Sequence, residues 1–509
     1  MSESWARRLY TLAWWTLLPV MFGYLLWRSR RQPAYRGHWG ERLGWMPAGT
    51  RSGTESGTES GGRPSASGLR PIWIHAVSVG ETRAALPLIE ALADRDPQRP
   101  ILLTHTTPTG RETGAELARR LPGRIVQCYL PYDLPFAVRG FLRRWQPACG
   151  LMIETEVWPN LMFEVERERV PVALVNGRLS ERSLVRGQRQ RALITPALRR
   201  LARIGVQTVD DAARLERLGR PADAVCGNLK YDIAPPSDLI ERGRHWRSLI
   251  GARPVIVAAS TRDGEESLLL AAWRAQQPEL AVEAPSAKRH EAPPAKRHEV
   301  PSTARREGQS SPTREAQATA GRESWARGDP LLIVVPRHPQ RFDDVDRVIV
   351  DVVGSDRAAR RAAFDRDDAR AVLARSAIVL GDSMGEMPAW YALADVAIVG
   401  GSLLPFGAQN LIEANAVGCP VVIGPSTFNF AQAAAASIAA GAAESVPDAA
   451  AAIAVARAIV GDPARRERMA AAALAFTRAH RGATEGTLAL IEPLLPARPA
   501  DASSRIATG

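Results

Sequence analysis

Three acidic residues that follow short apolar runs are the first candidates for chemistry. Glu81 ends the stretch HAVSVGE at 75–81, and Glu154 and Glu156 stand in ETEVWPN at 154–160. A carboxylate at such a position can take a proton from a reacting hydroxyl. It can equally cap the helix that follows or complement the positive N-terminal end of that helix. Residue type and spacing leave the catalytic and the structural role open for both Glu81 and Glu154.

Lysine is almost absent from this chain. Of 66 Lys and Arg residues in 509, only Lys230, Lys288 and Lys296 are lysine, and the last two lie in the duplicated octapeptide EAPSAKRH, EAPPAKRH at 283–298. Lys230, in GNLKYD at 227–232, is therefore the one lysine in the part of the chain expected to fold. It is either a chance leftover or a site whose chemistry needs a compact ammonium rather than a guanidinium.

A second group of loops contains the residue types that bind phosphate. Each of these loops follows an apolar run: Ser260-Thr261, Pro336-Arg337, GDSMGE at 381–386 and Gly400-Gly401-Ser402. Hydroxyls and glycine amides at a helix N-terminus favour an anion, Arg337 can add a charge-assisted contact, and Glu413 could accept from ribose hydroxyls. Together they predict a nucleotide site. A GxxxxGK[ST] loop is absent, as is a GxGxxG motif opening the first βαβ unit, which disfavours kinases, ATPases and dinucleotide dehydrogenases.

The elements that must position these residues alternate between apolar runs and amphipathic stretches. Continuous Val/Ile/Leu runs bounded by helices indicate buried parallel strands. The predicted strands are 72–77, 101–105, 125–130, 150–153, 172–175, 205–209, 255–259, 331–335, 377–380, 396–400 and 421–423, and helices are expected at 82–93 and 265–273. This pattern predicts an α/β fold with two tandem Rossmann-like domains, in which ligands bind beyond the carboxyl ends of the strands.

The first residues read as a membrane anchor. Leu9–Trp27 is 19 residues long without a charge, and arginines flank it on both sides. About 20 residues are needed to cross the hydrocarbon core, so the segment either spans the membrane or lies on it; a buried core helix is the alternative. The downstream flank is the more basic one, and the positive-inside rule then keeps the rest of the chain cytoplasmic.

The net charge of +12 first suggests polyanionic partners. Most of it belongs to two segments, 1–44 with +5 and 284–329 with +3. No basic stripe with interleaved aromatic residues remains, so nucleic-acid binding is excluded. Four cysteines without CxxC spacing favour a reducing compartment over a disulfide scaffold.

The predicted domain boundaries follow composition. Residues 1–35 form the anchor and basic flank, 36–235 the first Rossmann-like domain, 236–497 the second, and 498–509 a tail, with a break at IAPPSD. Two inserts, about 50–68 and 283–329, are rich in Gly, Ser, Pro and charge and are expected to be disordered.

At these residues the chain resembles the 3-deoxy-D-manno-octulosonic acid (Kdo) transferases of Gram-negative lipopolysaccharide synthesis. The motifs that carry the resemblance are IHAVSVGE at 74–81, TTPTG at 106–110, YLPYDLP at 129–135, IETEVWPN at 153–160, GNLKYD at 227–232, STRDGEES at 260–267, VPRHPQRF at 335–342, GDSMGE at 381–386, GGSLLPFGAQNLIEANAVGCPVVIGP at 400–425 and FNF at 428–430.

The resemblance implies a GT-B glycosyltransferase with a cleft between its two domains, the donor CMP-Kdo, and the acceptor lipid IVA at the cytoplasmic face of the inner membrane. It implies Glu81 as the general base of an inverting transfer and Glu154 and Lys230 as stabilisers of the transition state. Anionic inner-membrane lipids are a further expected partner, and no metal or cofactor is implied. The implied donor-site residues, taken with the hydroxyls above, are Ser260, Thr261, Pro336, Arg337, Met384, Gly385, Glu386, Ser402, Asn410, Leu411, Ile412 and Glu413.

The chain departs from the family pattern at two places near the donor. Arg262 stands where the family usually has His, and Ala408-Gln409 where it has Gly-His. These departures motivate one alternative, an inactive membrane-anchored paralogue. A second alternative is a GT-B transferase that uses another nucleotide sugar and a lipid-linked acceptor.

Overall fold

The computed structural model describes residues 2–30, 32–45, 68–276, 329–365 and 368–497. The tail and nearly all of both inserts lie outside these residues. The described chain divides into two compact units, residues 1–233 with 480 onward, and residues 234–479.

The first unit is built on a seven-stranded sheet in which every pair of neighbours is parallel. The strand order is β3-β2-β1-β4-β5-β6-β7. The strands are β1 Ile72–His75, β2 Ile101–His105, β3 Ile125–Tyr129, β4 Cys149–Ile153, β5 Val172–Gly177, β6 Arg203–Val206 and β7 Ala224–Val225. The helices before residue 233 are α1 Glu3–Ser29, α2 Trp39–Arg42, α3 Val79–Ala84, α4 Leu86–Arg95, α5 Pro108–Arg120, α6 Pro135–Trp145, α7 Pro159–Arg167, α8 Glu181–Arg189, α9 Arg191–Arg199 and α10 Val209–Arg217.

The second unit has its own seven-stranded parallel sheet, in the order β10-β11-β9-β8-β12-β13-β14. Its strands are β8 Val255–Thr261, β9 Leu331–Pro336, β10 Ala358–Arg360, β11 Ile378–Leu380, β12 Val396–Val399, β13 Val421–Ile423 and β14 Ala443–Ser445. Its helices are α11 Ser237–Ile250, α12 Glu265–Ala275, α13 Phe342–Val353, α14 Ala369–Arg375, α15 Met387–Leu393, α16 Ile412–Ala416, α17 Ala431–Ala439, α18 Ala449–Gly461 and α19 Pro463–Ala479.

The chain then returns to the first unit through α20, Ala483–Ile491. Ile491 is buried in the core on one face of the first sheet, and Asp232 accepts hydrogen bonds from the amides of Gly482 and Thr484 at the start of the helix. The boundaries read from sequence keep residues up to 497 in the second domain, whereas the structure packs α20 against the first. The order of elements along the chain gives no signal of such a return.

The predicted α/β class, with two parallel sheets in tandem and an apolar helix at the N-terminus, is confirmed. All eleven predicted strands are present. Their first residues differ from the prediction by at most two positions and their last residues by at most three. The helix predicted at 82–93 is instead the pair α3 and α4, because the chain turns at Ala85 and Pro87 stands in the first turn of α4.

Continuous apolar strands make the core. Trp73 on β1 packs against Phe141 of α6 with its ring centroid 5.1 Å away, and both side chains are fully buried. Burying one such aromatic side chain contributes ~2–3 kcal/mol relative to leaving it in water. Hydrophobic cores pack on both faces of the first sheet and hold its strands in place. The loops at the carboxyl edge of this sheet therefore start from fixed positions.

Candidate active site

In the first unit, the carboxyl ends of adjacent strands bring the predicted catalytic residues together. Glu81 follows β1, Glu154 follows β4, and Asn176 lies near the end of β5, and these three strands are neighbours in the sheet. Because parallel strands end at one edge, the loops that follow them converge. The segment 228–232 joins them through hydrogen bonds to Glu154 and Asn176.

Glu81 lies in the first turn of α3, where it forms a reciprocal cap with Ser78. The Ser78 hydroxyl accepts from the Glu81 amide at 3.4 Å and donates to Oε1 at 3.1 Å, while Oε2 accepts from the amide of Val77 at 2.7 Å. The structural role is therefore present, since this arrangement satisfies helix-end amides that have no partner within the helix. It also fixes the carboxylate in one orientation.

The environment of Glu81 suits proton transfer as well. Burial, with the negative charges of Glu154 and Glu156 adding to it, raises the pKa of Glu81 from 4.5 to about 7, against the lowering effect of its hydrogen bonds from Val77 and Ser78. The side chain remains partly exposed. A carboxyl group that titrates near neutral pH is well matched to general base catalysis.

Glu154 and Lys230 form an ion pair, with Lys230 Nζ 2.9 Å from Glu154 Oε1 and each side chain 19% exposed. Glu154 has φ +64, a left-handed backbone that costs a residue with a Cβ ~1 kcal/mol or more. Nearby, Trp158 Nε1 donates to Glu156 Oε2 at 2.6 Å. Strained backbone persists where the surrounding structure imposes it, and such positions cluster at functional sites.

Asn176 is a site residue that the sequence reading missed. It is buried, has φ +54, and its Oδ1 accepts from the amide of Leu229 at 3.1 Å, one residue before Lys230. Its Nδ2 is buried and has no hydrogen-bond partner among the described residues. The dipeptide Asn176-Gly177 at the end of an apolar run was the available signal, because Asn tolerates the left-handed region better than most residues.

Two buried histidines support the loop that carries Glu81. His75 Nδ1 lies 2.9 Å from the Thr104 hydroxyl, and His105 Nδ1 lies 2.9 Å from the Ala76 carbonyl. Burial lowers the pKa of His75 to about 3 and that of His105 to about 4. Both imidazoles are neutral at pH 7 and serve as hydrogen-bonding supports.

In the second unit, the four phosphate-binding loops predicted from sequence follow β11, β9, β8 and β12, which are contiguous in the sheet. Glu265, the first residue of α12, ties two of these loops together. Its buried carboxylate accepts from the amides of Arg262 at 2.8 Å, Gly401 at 2.6 Å and Leu403 at 3.0 Å. Charge-assisted bonds of this kind are about twice as strong as neutral ones. Glu265 was not among the residues predicted from sequence.

Several predicted donor-site side chains are used inside the unit. The Thr261 hydroxyl donates to Glu266 at 2.7 Å. The Ser402 hydroxyl accepts from the amide of Gly424 at 2.8 Å and is fully buried. Ser260, by contrast, is partly exposed at φ +56. Any contact of Thr261 or Ser402 with a donor would therefore run through their backbone.

The loop GDSMGE is fixed by its last residue. Glu386 accepts from Arg361 Nη2 at 2.9 Å, from Arg242 Nη1 at 2.7 Å and from the Ser383 hydroxyl, and these partners lower its pKa although burial acts in the opposite direction. Met384, two residues earlier, is 53% exposed, and Gly385 adopts φ +82. Glu386 thus anchors the loop and leaves Met384 and Gly385 at the surface.

The segment after β12 presents Asn410 and Glu413. Asn410 Nδ2 donates to Glu413 Oε1 at 2.9 Å, and its Oδ1 accepts from the Ile412 amide at the start of α16. Both side chains are partly exposed, whereas Leu411 and Ile412 between them are buried.

The loop after β9 lies beside that after β8, because the Arg337 amide donates to the Thr261 carbonyl at 2.9 Å. Pro336, the last residue of β9, is buried and Arg337 is partly exposed. The Arg262 guanidinium lies over the Phe406 ring, 4.7 Å from its centroid. Within the described residues, no group of three His, Cys, Asp or Glu side chains is placed to hold a metal ion.

Comparison with known proteins now decides the family. A family model described as 3-deoxy-D-manno-octulosonic-acid transferase matches residues 37–233. The chain is 40% identical over 495 residues to the 3-deoxy-D-manno-octulosonic acid transferase of Bordetella pertussis, covering 96% of this chain and 99% of the relative. The chain belongs to the Kdo transferase family.

A second Kdo transferase and a solved structure of a different enzyme also match this chain. The enzyme of Haemophilus influenzae is 29% identical, over 83% of each chain. The crystal structure of UDP-GlcNAc 2-epimerase from Neisseria meningitidis matches with a TM-score of 0.51 at 13% identity, covering 83% of this chain and all of that one. At that identity the likeness shows the GT-B-like fold alone. As a Kdo transferase, the protein is a glycosyltransferase.

Proposed function

We propose that the protein transfers Kdo from CMP-Kdo to lipid IVA with inversion at the anomeric carbon, and that Glu81 is the general base. The observation that carries this proposal is a carboxylate held in one orientation, with its pKa raised to about 7, beside the Glu154–Lys230 pair. Family membership supports Kdo as the transferred sugar.

In the proposed step, Glu81 takes the proton from a sugar hydroxyl of the acceptor while that oxygen attacks the anomeric carbon of Kdo. The bond from that carbon to the CMP phosphate breaks, and its electron pair leaves with CMP. Attack from the face opposite the leaving group inverts the configuration. A base that is half ionised near pH 7 combines the reactive form with enough basicity to drive the transfer.

Lys230 and Glu154 act together in this proposal. The Lys230 ammonium lies 2.9 Å from Glu154. It places one compact positive charge among the three carboxylates of Glu81, Glu154 and Glu156. Charge that develops in the transition state is stabilised best by groups already in place. Two hydrogen bonds hold Lys230 beside Glu154. Asn228 Oδ1 accepts from the Lys230 amide at 3.0 Å, and Asn176 Oδ1 accepts from the amide of Leu229.

The second unit binds the donor in this proposal. Arg337, Met384, Gly385, Asn410 and Glu413 would contact CMP directly, because all are accessible at the carboxyl edge of the sheet. The remaining candidates, Ser260, Thr261, Pro336, Glu386, Ser402, Leu411 and Ile412, would act through backbone groups or by fixing loop shape, with Ser260 still able to offer its hydroxyl. Departing CMP is an anion, and Arg337 supplies a charge-assisted contact for it.

The proposed location is the cytoplasmic face of the inner membrane, with α1 as the anchor and anionic lipids against its arginines. The helix is long and apolar enough to cross a membrane by length and composition. A lipid acceptor gives such an anchor a purpose, because it keeps the enzyme at the surface where the acceptor is found.

The test is incubation of the purified chain with lipid IVA and CMP-Kdo generated in situ, followed by mass spectrometry of the lipid. We expect the mass of lipid IVA to rise by one or more Kdo residues, and the number added is read directly. A parallel panel of UDP-sugars is the control for the donor. Turnover with a UDP-sugar and none with CMP-Kdo would replace this proposal by the alternative GT-B transferase, and no turnover with any donor while CMP still binds would favour the inactive paralogue.

A further inference from the structure

Helix α1 has two opposite faces with different surroundings. Side chains at positions 3, 7, 11, 14, 18, 22, 25 and 29 are partly or fully buried, whereas those at 5, 9, 12, 16, 20, 24 and 27 are exposed. Both series advance by three or four residues, the spacing of one helix face. One face of α1 therefore packs against the rest of the protein, and the opposite face does not.

The buried face is bound to the first unit over its whole length. Glu3 in the first turn pairs with Arg200 at 2.6 Å. In the second and third turns, the Arg7 guanidinium lies 3.4 Å from the ring centroid of Phe163, and Thr11 Oγ1 accepts from Asn160 Nδ2 at 3.0 Å.

The contacts continue through the second half. Trp14 stacks on Tyr132 with centroids 5.6 Å apart, and Phe22 packs on Trp39 at 5.0 Å. Ser29 Oγ, in the last turn, accepts from Arg36 at 3.0 Å. A helix that crosses the bilayer is surrounded by lipid for ~20 residues. Spanning would break the contacts that the first half of α1 makes with the first unit, because that half would lie inside the bilayer or beyond it.

The exposed face is apolar over the length of the helix. Soluble monomeric proteins rarely expose so large a contiguous apolar patch to water. Leu12 is 60% exposed, Val20 65% and Trp27 54%, and Trp5, Leu9 and Tyr24 lie on the same stripe. Trp and Leu side chains on the lipid-facing side are typical of a helix that lies in the membrane interface.

The exposed charges around this face have one sign. Arg8, Arg28, Arg30 and Arg36 are exposed, whereas the acids of residues 2–45 are both in ion pairs, Glu3 with Arg200 and Glu41 with Arg111 at 2.6 Å. A basic rim around an apolar stripe complements an anionic lipid surface.

We propose that α1 does not span the membrane but lies in its plane, with the stripe Trp5–Leu9–Leu12–Val20–Tyr24–Trp27 in the outer part of an anionic phospholipid leaflet and the opposite face bound to the first unit. The occupant of the apolar face is the bilayer itself. This proposal rests on the proposed membrane location but not on the reaction, and no substrate is needed to test it.

The geometry also gives the membrane a link to the site. Asn160, which bonds to Thr11, lies in the first turn of α7, four residues after Glu156. Asp133 fixes the same turn by accepting from the amides of Asn160 and Leu161 at 3.0 and 2.7 Å. The helix on the lipid surface is thereby joined to the loop of Glu154 and Glu156, so that loop has a fixed relation to the leaflet that would hold a lipid acceptor.

Sidedness of a single new cysteine separates lying from spanning. Ser4→Cys is exposed in the first turn of α1, and Gln98→Cys, exposed in the turn after α4, is the control on the body of the first unit. Cys226 is partly exposed whereas the other three native cysteines are buried, so both full-length variants also carry Cys226→Ser. With a membrane-impermeant maleimide we expect both to react in inverted membrane vesicles and neither in right-side-out vesicles. Reaction of Ser4→Cys from the side opposite Gln98→Cys would overturn the proposal in favour of a spanning helix.

A matched pair of valines tests the apolar face. Val20 is 65% exposed on α1 and Val209 is 73% exposed at the start of α10. With the full chain and vesicles of phosphatidylethanolamine and phosphatidylglycerol, Val20→Asp should weaken binding at least tenfold and Val209→Asp less than twofold. Equal affinity of the two variants, with thermal unfolding unchanged, would show that the stripe does not touch lipid. Binding that is no weaker to phosphatidylcholine vesicles would contradict the anionic part of the proposal.

Discussion

The pH dependence of transfer tests the assignment of Glu81 most finely. With a pKa of about 7, Glu81 is about 90% ionised at pH 8 and about 10% at pH 6, so a reaction that needs the carboxylate slows roughly tenfold over that interval. With the ordinary value of 4.5 it would be nearly fully ionised at both pH values, and the rate would hardly change. The sign follows from the base role: activity is lost as the pH falls through about 7.

Phosphate groups on the lipid acceptor also titrate in this range, so the wild-type profile alone is ambiguous. Glu156→Gln removes a negative charge that contributes to the raised pKa of Glu81, and its amide oxygen can still accept from Trp158. The substrate is the same for both enzymes. A shift of the acid limb to lower pH in the variant must therefore come from the protein.

The assay is kcat/KM for Kdo transfer from pH 5.5 to 8.5 for the wild type, Glu156→Gln and the control Glu90→Gln. Glu90 is a partly exposed acid on α4 that pairs with Arg120 at 3.2 Å. We expect the activity ratio between pH 6 and pH 8 to rise in Glu156→Gln and to stay at the wild-type value in Glu90→Gln. An acid limb that coincides in all three proteins would refute the electrostatic reasoning about Glu81.

Three further substitutions test the supporting residues. Lys230→Arg keeps the charge but not the compact ammonium beside Glu154. We expect kcat to fall at least tenfold while the thermal unfolding temperature stays near that of the wild type. Full activity would show that the lysine is a chance leftover. Asn176→Gly relieves the left-handed backbone but removes the acceptor for the Leu229 amide, so we expect kcat to fall and the free energy of unfolding to drop by ~1–3 kcal/mol. Asn176→Ala loses the same acceptor and keeps the left-handed strain, so it should lose a further ~1–2 kcal/mol on urea unfolding. Equal kcat for wild type and Asn176→Gly would contradict a positioning role for Asn176. Glu265→Gln places an amide group against the backbone amides of Gly401 and Leu403, so we expect the free energy of unfolding to fall by ~2–3 kcal/mol. CMP binding, measured by calorimetry, should also weaken. Unchanged CMP affinity would show that Glu265 does not support the donor site.

Much of the fold could be predicted because buried parallel strands are continuous apolar runs. The strands that escaped prediction, β7, β10 and β14, have two or three residues and lie at sheet edges, where no long apolar run is needed. The return of α20 to the first unit escaped as well. It depends on which core the helix fills, and a helical pattern does not contain that information.

The candidate site was predictable in its residue types but not in its contacts. Ser78 and Glu81 form the S-x-x-E pattern of a capping box, which can be read from sequence. The Lys230–Glu154 pair joins residues far apart in the chain and depends on the order of strands in the sheet. The left-handed backbone of Glu154 is likewise a tertiary property, because glutamate has no preference for that region.

The most direct measurement of the central claim is the single-turnover rate of Glu81→Gln, taken together with its affinity for CMP. The single side-chain oxygen of glutamine can still accept from the Val77 amide, and its NH2 group can donate to the Ser78 hydroxyl, so the loop should keep its shape while the base is lost. We predict a loss of at least ~10²–10⁴-fold in Kdo transfer to lipid IVA, the usual contribution of a general base, with the Kd for CMP within about twofold of the wild type. Transfer at close to the wild-type rate would contradict the assignment of Glu81 as the base.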